Sequence, residues 1–271
     1  MVQITACSAT RNRAAMMDEL RRLLPRMEGL RKTLPFGLAA LDSHLPEGGL
    51  ACGALHEVVP QTEGCIAAAF GFIAAILGRN FSPAPLRGRK QTARAYPLIL
   101  VMPVYDRRPH GRLHGHGLSA LGLDPGRLIL VETAHRKQTL WAIEEALRSQ
   151  APAAVAGVID KLDLKLSQRL HLAATDAGLP LFLLRPAPML ESSAAATRWR
   201  IGTAEAARDR FGLVMHPRWH LQLERCRNGR PGQWVVEYDH VAHRFSLAAA
   251  LANPARACSA GEKPLRKIHC A

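Results

Sequence analysis

His56-Glu-Val-Val-Pro-Gln-Thr-Glu-Gly-Cys-Ile-Ala67 is the stretch of sequence that decides the fold. Its first residues belong to a short buried strand, predicted over 55–59, and Pro60 opens a turn that runs to Gly64. The helix predicted over 65–77 carries apolar side chains on nearly every face. Because a helix without a polar face has to be covered on all sides, this stretch predicts the centre of a layered domain.

The same succession of strand, turn and buried helix is the layout of a phosphate-binding loop, in which backbone N–H groups at a helix start bind a phosphate. Such a loop needs two framing glycines, a Lys for the phosphates and a Ser or Thr for Mg²⁺. Here only Gly64 is kept, and Val59 takes the place of the first glycine. Cys65 stands where the Lys belongs and Ile66 where the Ser or Thr belongs. We therefore expect no ATP or Mg²⁺ cofactor and no catalytic residues.

Asp160 is the acid that a nucleotide hydrolase would need. It ends the apolar strand predicted over 155–160, where a Walker B Asp would hold Mg²⁺. An Asp at the end of a strand also caps the turn or helix that follows. Since the loop lacks its Lys and its Ser or Thr, we favour the structural role.

Length and composition indicate one large α/β domain with appendages, because the chain has 271 residues, 48% of them apolar. It contains no run of eighteen uncharged apolar residues, so we expect no membrane span. The N-terminus lacks the apolar region of a secretory signal, and six cysteines without close pairs are typical of free thiols in a cytoplasmic protein. The formal charge of +14 favours nucleic acid or an acidic protein surface as partner.

Two basic segments are candidate DNA contacts. The segment 79–94 contains prolines and a glycine that predict an exposed loop, which either is solvated or binds phosphates. The strand predicted over 197–201 places two arginines on one face and Trp199 on the other, where Trp199 either stacks a base or anchors the core. The candidate residues are Arg87, Arg89, Lys90, Arg94, Arg198, Trp199 and Arg200.

Three histidines, His110, His114 and His116, suggest a metal site by their number alone. The sequence places no acid or Cys beside them, and the interspersed glycines disfavour the helix that would bring histidines together. We therefore predict no metal site.

Apolar strands predicted near 55–59, 98–102, 128–132, 155–160 and 180–184 alternate with helices, which favours right-handed crossovers and a mostly parallel sheet. The helix predicted over 136–148 turns Leu140, Ile143 and Leu147 inward and Glu144 outward. Alternating apolar residues over 219–226 and 233–239, around a Gly- and Pro-containing turn, predict an antiparallel hairpin with one buried face.

The two ends of the chain differ from this core. Residues 16–31 have the apolar period of a helix, which either docks on the core or packs on another subunit. Residues 247–271 are weakly periodic and basic, as in a flexible tail. We predict an N-terminal arm over 1–33, a core over 34–246 and a tail over 247–271.

Three segments carry a resemblance to a known family. The run GLAALDSHLPEGGLACGALHEVV (37–59) resembles the entry to the nucleotide loop of RecA-like recombinases, and it is similar in particular to the ImuA family. The runs LSALGLDPGRLILVE (118–132) and LERCRNGRPGQWVVEYD (223–239) are similar to the same family. The resemblance covers about 34–246.

This resemblance implies a RecA-like sheet and an accessory role in SOS-induced, error-prone translesion DNA synthesis. It implies, as partners, a catalytically inactive Y-family polymerase homologue (ImuB) and an error-prone DNA polymerase III alpha-type subunit. The net charge further predicts weak binding of single-stranded or damaged DNA. It also implies a cytoplasmic, nucleoid-associated protein that self-associates through its N-terminal helix. The strand near 98–102 is not followed by the Glu with which RecA-like ATPases orient water.

Three other functions are compatible with the sequence. A RecA-type ATP-dependent recombinase is disfavoured by the missing Lys. A general DNA-binding module is supported only by charge. A cell-division inhibitor of the SulA type would share a RecA-like core without a phosphate loop, but the N-terminal helix and the Arg-rich insertion exceed such a minimal core.

Overall fold

The computed structural model describes residues 33–81, 96–104, 113–185, 192–206, 208 and 210–248. The helix predicted over 16–31 and the candidate DNA contacts Arg87, Arg89, Lys90 and Arg94 lie outside the described residues, as does nearly all of the predicted tail.

Strands and helices alternate through the first two thirds of the described chain. The strands are β1 (Thr33–Leu34), β2 (Leu50–Ala51), β3 (Leu55–Pro60), β4 (Leu98–Pro103), β5 (Leu128–Thr133), β6 (Ala154–Val158), β7 (Leu181–Leu184), β8 (Thr197–Thr203), β9 (Arg218–Cys226), β10 (Gly232–Asp239) and β11 (Arg244–Leu247). The helices are α1 (Ala39–Asp42), α2 (Ile66–Phe81), α3 (Gly115–Ala120), α4 (Arg136–Ser149) and α5 (Leu164–Ala177).

Nine of the described strands form one sheet in the order β11-β10-β9-β8-β3-β7-β6-β4-β5. All neighbours from β8 to β5 run parallel. The strands from β8 to β11 pair antiparallel, so the predicted hairpin of β9 and β10 extends the parallel part. The predicted α/β class, with a mostly parallel sheet and a C-terminal hairpin, is confirmed.

The sheet separates two apolar cores. Helix α2 covers one face, where Phe72 contacts Trp199 and Trp219 with ring centroids 5.7 and 6.4 Å apart. Helices α4 and α5 pack on the other face around Ile143, Leu170 and their neighbours. Helices on both faces explain why β4, β6 and β7 contain no polar or charged residue.

Helix α2 is buried along most of its length, as its composition predicts. The 3-10 turn and α2 together span Glu63–Phe81, which is long and apolar enough to cross a membrane by length and composition alone. However, 56% of the apolar 18-residue stretch within this span is buried inside the protein, as in the core helix of a layered domain.

The hairpin buries one face, as predicted. Trp219, Leu221 and Leu223 of β9 lie in the core together with Val236 and Tyr238 of β10. The side chains between them point to the opposite face of the sheet, since successive residues of a strand alternate.

The prediction that Glu144 of helix α4 faces outward is wrong. The three apolar residues predicted to point inward are buried, but Glu144 is also buried, with 3% exposure. Arg169 of α5 donates a hydrogen bond to its carboxylate, so an ion pair between two helices takes the place of solvent.

Candidate functional site

The centre of the sheet carries the predicted strand–turn–helix layout. Strand β3 ends at Pro60, a 3-10 turn covers Glu63–Cys65, and α2 begins at Ile66. Val59 and Cys65 are buried, whereas residues 61–64 between them are exposed. The degenerate loop therefore has the position of a phosphate loop at the start of a long helix.

Cys65 is held by hydroxyl groups at the position of the missing Lys. Its Sγ lies 3.3 Å from Thr62 Oγ1. Burial alone would raise the pKa of the Cys65 thiol, but hydrogen bonds with Thr62 and Thr203 outweigh burial and lower this pKa. Even as a thiolate, Cys65 would carry a negative charge and could not stabilise a phosphate as a Lys does.

The turn is fastened to the neighbouring strand β8. The Gln61 N–H donates a hydrogen bond to the Ile201 carbonyl at 2.7 Å. The Gln61 side chain also lies against Gly202. A Cβ atom added at Gly202 would lie 2.0 Å from Gln61 Oε1, so the contact requires a glycine there. The turn is thus held against β8 by both the backbone and the side chain of Gln61.

Asp160 lies two residues beyond β6, at the same edge of the sheet as the loop, with β7 between their strands. Its Oδ1 accepts a hydrogen bond from the Lys161 N–H at 2.8 Å, and the structural role that we favour for Asp160 stays a prediction. The cap of α5 is Asp163, whose Oδ1 accepts from Leu166 N–H at 2.8 Å. Asp163 could have been found from its place before the apolar stripe of α5.

Three charged residues meet on β3 and its two neighbouring strands, and of these the sequence pointed only to Arg198, as a DNA contact. Glu57 of β3 and Arg185 at the end of β7 are both fully buried, and Arg185 donates to Glu57 Oε1 at 2.9 Å. Arg198 of β8 donates to the other oxygen of Glu57 at 2.8 Å and to Ser193 Oγ at 3.2 Å. One carboxylate therefore joins three neighbouring strands.

The predicted DNA contacts on β8 are only partly accessible. Trp199 has no exposed surface and lies 5.4 Å, centroid to centroid, from Phe36. Trp199 therefore anchors the core, and the alternative prediction that it stacks on a DNA base is wrong. The side chains of Arg198 and Arg200 are 15% and 23% exposed, and each pairs with a carboxylate, that of Glu57 and that of Glu224 respectively. Arg200 is thus paired one to one, whereas Arg198 shares the single carboxylate of Glu57 with Arg185.

The histidines near 114 do not form a metal site among the described residues. His114 and His116 have ring centroids 5.3 Å apart, and His110 lies outside the described part. Helix α3 forms over Gly115–Ala120 in spite of its two glycines. In the described chain no group of three His, Cys, Asp or Glu side chains could hold a metal ion.

Comparison with known proteins decides the family. No family model matches the chain. It is 34% identical over 239 residues to Protein ImuA of Caulobacter vibrioides strain NA1000 / CB15N, across 81% of this chain and 90% of the relative. Protein ImuA of strain ATCC 19089 / CIP 103742 / CB 15 matches with the same identity and coverage. The chain belongs to the ImuA family.

Membership of the ImuA family supports a role in DNA-damage-related mutagenesis. The three segments that resemble the family occupy distinct places in the fold. They run from α1 into β3, from α3 into β5, and through the β9–β10 hairpin. The first of these segments leads directly into the degenerate loop.

Proposed function

We propose that this ImuA-family protein is a non-catalytic, RecA-like accessory factor of SOS-induced, error-prone translesion DNA synthesis. In this proposal it acts in the cytoplasm, at the nucleoid, with an inactive Y-family polymerase homologue (ImuB) and an error-prone DNA polymerase III alpha-type subunit. The family supports the DNA-damage role, and the two partners follow from the resemblance to that family.

Cys65 is the observation that carries the non-catalytic part of the proposal. Phosphoryl transfer depends on positive charge held against the phosphates. At the helix start the described structure offers a thiol bonded to Thr62, followed by Ile66 in place of a Mg²⁺-binding hydroxyl. Removing a single such electrostatic contact costs about 10²–10³-fold in rate in well-studied enzymes.

DNA binding is a weaker part of the proposal. Arg198 and Arg200 form ion pairs within the protein, so the net charge of +14 is the main support for DNA binding. Such binding would be independent of sequence and would fall steeply with salt, since it depends on counterion release.

Complementation of a deletion strain tests the function. Deleting the gene should lower the frequency of damage-induced mutations, and the wild-type gene should restore it. Asp160→Asn should restore it equally, because Asp160 has a structural role in a turn. The purified protein should also retain the ImuB-type homologue in a pull-down.

Two results would contradict this proposal. Unchanged damage-induced mutagenesis in the deletion strain would remove the accessory role. Failure of Asp160→Asn to complement, although the variant is folded and as abundant as wild type, would indicate that the site is catalytic.

A further inference from the structure

The β9–β10 hairpin ends in a turn that carries exposed arginines. Strand β9 ends at Cys226, β10 begins at Gly232, and the residues between them form the turn. Arg225, Arg227 and Arg230 are all exposed, and we call these three residues the hairpin-end arginines. Three cations thus lie close together along the chain at one end of the hairpin.

This turn lies at the opposite edge of the sheet from the degenerate loop. Strands β3 and β8 run parallel, and the degenerate loop follows the end of β3. Strand β9 runs antiparallel to β8, so its last residue, Cys226, lies beside Thr197 at the start of β8. The hairpin-end arginines are therefore a separate feature, and the degenerate loop does not require them.

Two of the guanidinium groups are held on successive carbonyl groups. Arg225 Nη1 donates to the Ser193 carbonyl at 2.7 Å, and Arg227 Nη2 donates to the next carbonyl, that of Ala194, at 3.3 Å. Arg227 Nη1 also lies 3.3 Å from His171 Nε2. Since a guanidinium has five N–H donors, these contacts position both groups and leave donors for a ligand.

Packing against His44 fixes the backbone of the turn. The Arg230 N–H donates to the His44 carbonyl at 2.9 Å, and His44 Nδ1 lies 3.2 Å and 3.1 Å from the carbonyl oxygens of Arg230 and Pro231. A Cβ atom added at Gly229 would lie 2.4 Å from the His44 carbonyl oxygen, so the two segments approach closely. An ordered backbone lowers the entropy that the turn would lose on binding a ligand.

No carboxylate of the described residues balances these charges. The partners of Arg225 and Arg227 are carbonyl groups and the His171 ring, and none of the hairpin-end arginines belongs to an ion pair within the described ranges. Burial and Arg227 lower the pKa of His171, which keeps this ring neutral at pH 7. Glu224, the acid next to Arg225 in the sequence, is paired with Arg200. Three uncompensated like charges favour a polyanionic ligand.

The surroundings of the arginines favour nucleic acid over protein. Binding energy at protein interfaces is dominated by a few large anchors in an apolar centre. Residues 218–234 of the described chain include no exposed large apolar side chain that could form such a centre. Protein–DNA interfaces are more polar and much more positively charged, and Arg binds phosphate through two parallel N–H groups.

We propose that the hairpin-end arginines bind the phosphate backbone of DNA. Arg225 and Arg227, held on successive carbonyl groups, would contact neighbouring phosphates, and Arg230 would extend the contact along the strand. The inference rests on the DNA-binding part of the proposed function and assigns a surface to it. This surface differs from the DNA contacts that the sequence predicted.

Fluorescence anisotropy with the full-length protein tests the proposal. The probes are a labelled oligonucleotide of about 20 nucleotides, as a single strand and as a duplex, and a labelled poly-Glu peptide of the same charge. The oligonucleotide should bind more tightly than the peptide. Arg225→Gln, Arg227→Gln and Arg230→Gln in combination should weaken DNA binding about tenfold or more at low salt. The same variant should reduce the slope of log K against log salt concentration by about 2, as expected for three lost phosphate contacts.

Two further variants separate phosphate contact from folding. Arg→Lys at the same three positions keeps the charges and should keep most of the salt dependence. Arg230→Gln alone should reduce the slope by about 0.7–0.9. Because the Arg230 side chain forms no hydrogen bond or ion pair with described residues, this variant should keep the wild-type melting temperature.

The matched control removes three exposed cations from helices α4 and α5. The substitutions are Arg136→Gln, Lys137→Gln and Lys165→Gln. This control has the same net charge as the hairpin variant, so a difference between the two variants reports the position of the charges. It should lose less than about threefold in DNA affinity, through the lower net charge alone.

The outcomes distinguish this surface from the proposed function as a whole. If the wild-type protein binds neither oligonucleotide, the DNA-binding part of the proposed function is wrong, and this surface with it. If wild type binds DNA but the folded Gln variants bind as well, or if the control loses as much as the hairpin variant, only this surface is wrong. Equal affinity for the poly-Glu peptide would show that the arginines attract any acidic chain, which would overturn their assignment to phosphate.

Discussion

His56 and Glu57 are adjacent in β3, both fully buried, and they face opposite sides of the sheet. His56 Nδ1 lies 2.8 Å from Thr197 Oγ1 and its Nε2 lies 2.9 Å from the Ala51 carbonyl, so the neutral ring can satisfy both contacts. Glu57 instead stays close to two arginines. The core thus accommodates His56 as a neutral ring, and it accommodates Glu57 because the carboxylate is paired with arginines.

Replacing Glu57 with Gln should be severely destabilising. The substitution leaves Arg185, which is 1% exposed, beside a neutral amide, and breaking a buried pair from one side costs about 3–5 kcal/mol. The matched control is Glu224→Gln, where the side chains of the pair with Arg200 are 24% and 23% exposed. That change should cost less than about 1 kcal/mol. Urea unfolding of both variants checks this, and equal losses would contradict it.

Acid should weaken the fold through His56. Burial lowers the pKa of His56 to about 4, in spite of its hydrogen bond to the Ala51 carbonyl. The unfolded chain, with an ordinary pKa near 6.5, then takes up a proton before the folded protein does, so stability falls as the pH falls from about 6.5 towards 4. We expect a loss of about 2 kcal/mol between pH 7.5 and pH 5.

The pH dependence is measured by urea unfolding at each pH. His56→Gln should have a flatter pH profile, whereas the exposed His116→Gln should keep the wild-type profile. The His171 pKa is also lowered, by burial and by Arg227, so a small dependence of the same sign should persist. An unchanged profile in His56→Gln would assign the effect to other groups.

At the scale of elements, α2 packs tightly at Gly78 against the backbone of residues 121–122. A Cβ on Gly78 would lie 2.4 Å from the Leu121 carbonyl oxygen and 2.6 Å from the Gly122 carbonyl carbon. Both contacts are backbone atoms, which cannot rotate away. At Gly71 in the same helix, the nearest atom is Trp219 Cζ2, at 3.5 Å, an ordinary van der Waals contact.

The two glycines should therefore respond in opposite ways. Gly78→Ala should destabilise the protein by about 1–3 kcal/mol, as overpacking does. Gly71→Ala should be neutral or stabilising by up to about 1 kcal/mol, because Ala is the better helix former. Thermal unfolding of both variants distinguishes the sites. Equal effects would show that α2 does not pack against the 121–122 turn in this way.

The sequence correctly predicted those strands and helices that have a clear local pattern of apolar residues. Strands β4 and β7 fall within about two residues of the predicted apolar runs, because strands buried on both faces are apolar throughout. Strand β3 also lies within one residue of its predicted bounds, although it carries the buried His56 and Glu57. The two-residue strands β1 and β2 have no period to detect. The Glu57–Arg185–Arg198 cluster was missed because its members are far apart in sequence and meet only through strand order.

At the scale of the whole molecule, the strand order determines where the degenerate loop and Asp160 lie. Strand β3 lies between β8 and β7 and directs its loop to the edge where β6 also ends, near Asp160. This edge of a parallel sheet is where α/β proteins commonly bind nucleotides. That placement was predictable from the alternation of strands and helices, but the contacts of Cys65 with Thr62 and Thr203 were not.

ATP turnover tests the central claim most directly. Purified full-length protein should hydrolyse ATP at background rate with Mg²⁺, whether or not single-stranded DNA is present, because the loop lacks both the Lys and the Mg²⁺-binding hydroxyl. Asp160→Ala serves as the control for a contaminating ATPase, since it should not alter the background. A rate that rises with single-stranded DNA and disappears in Asp160→Ala would contradict the account.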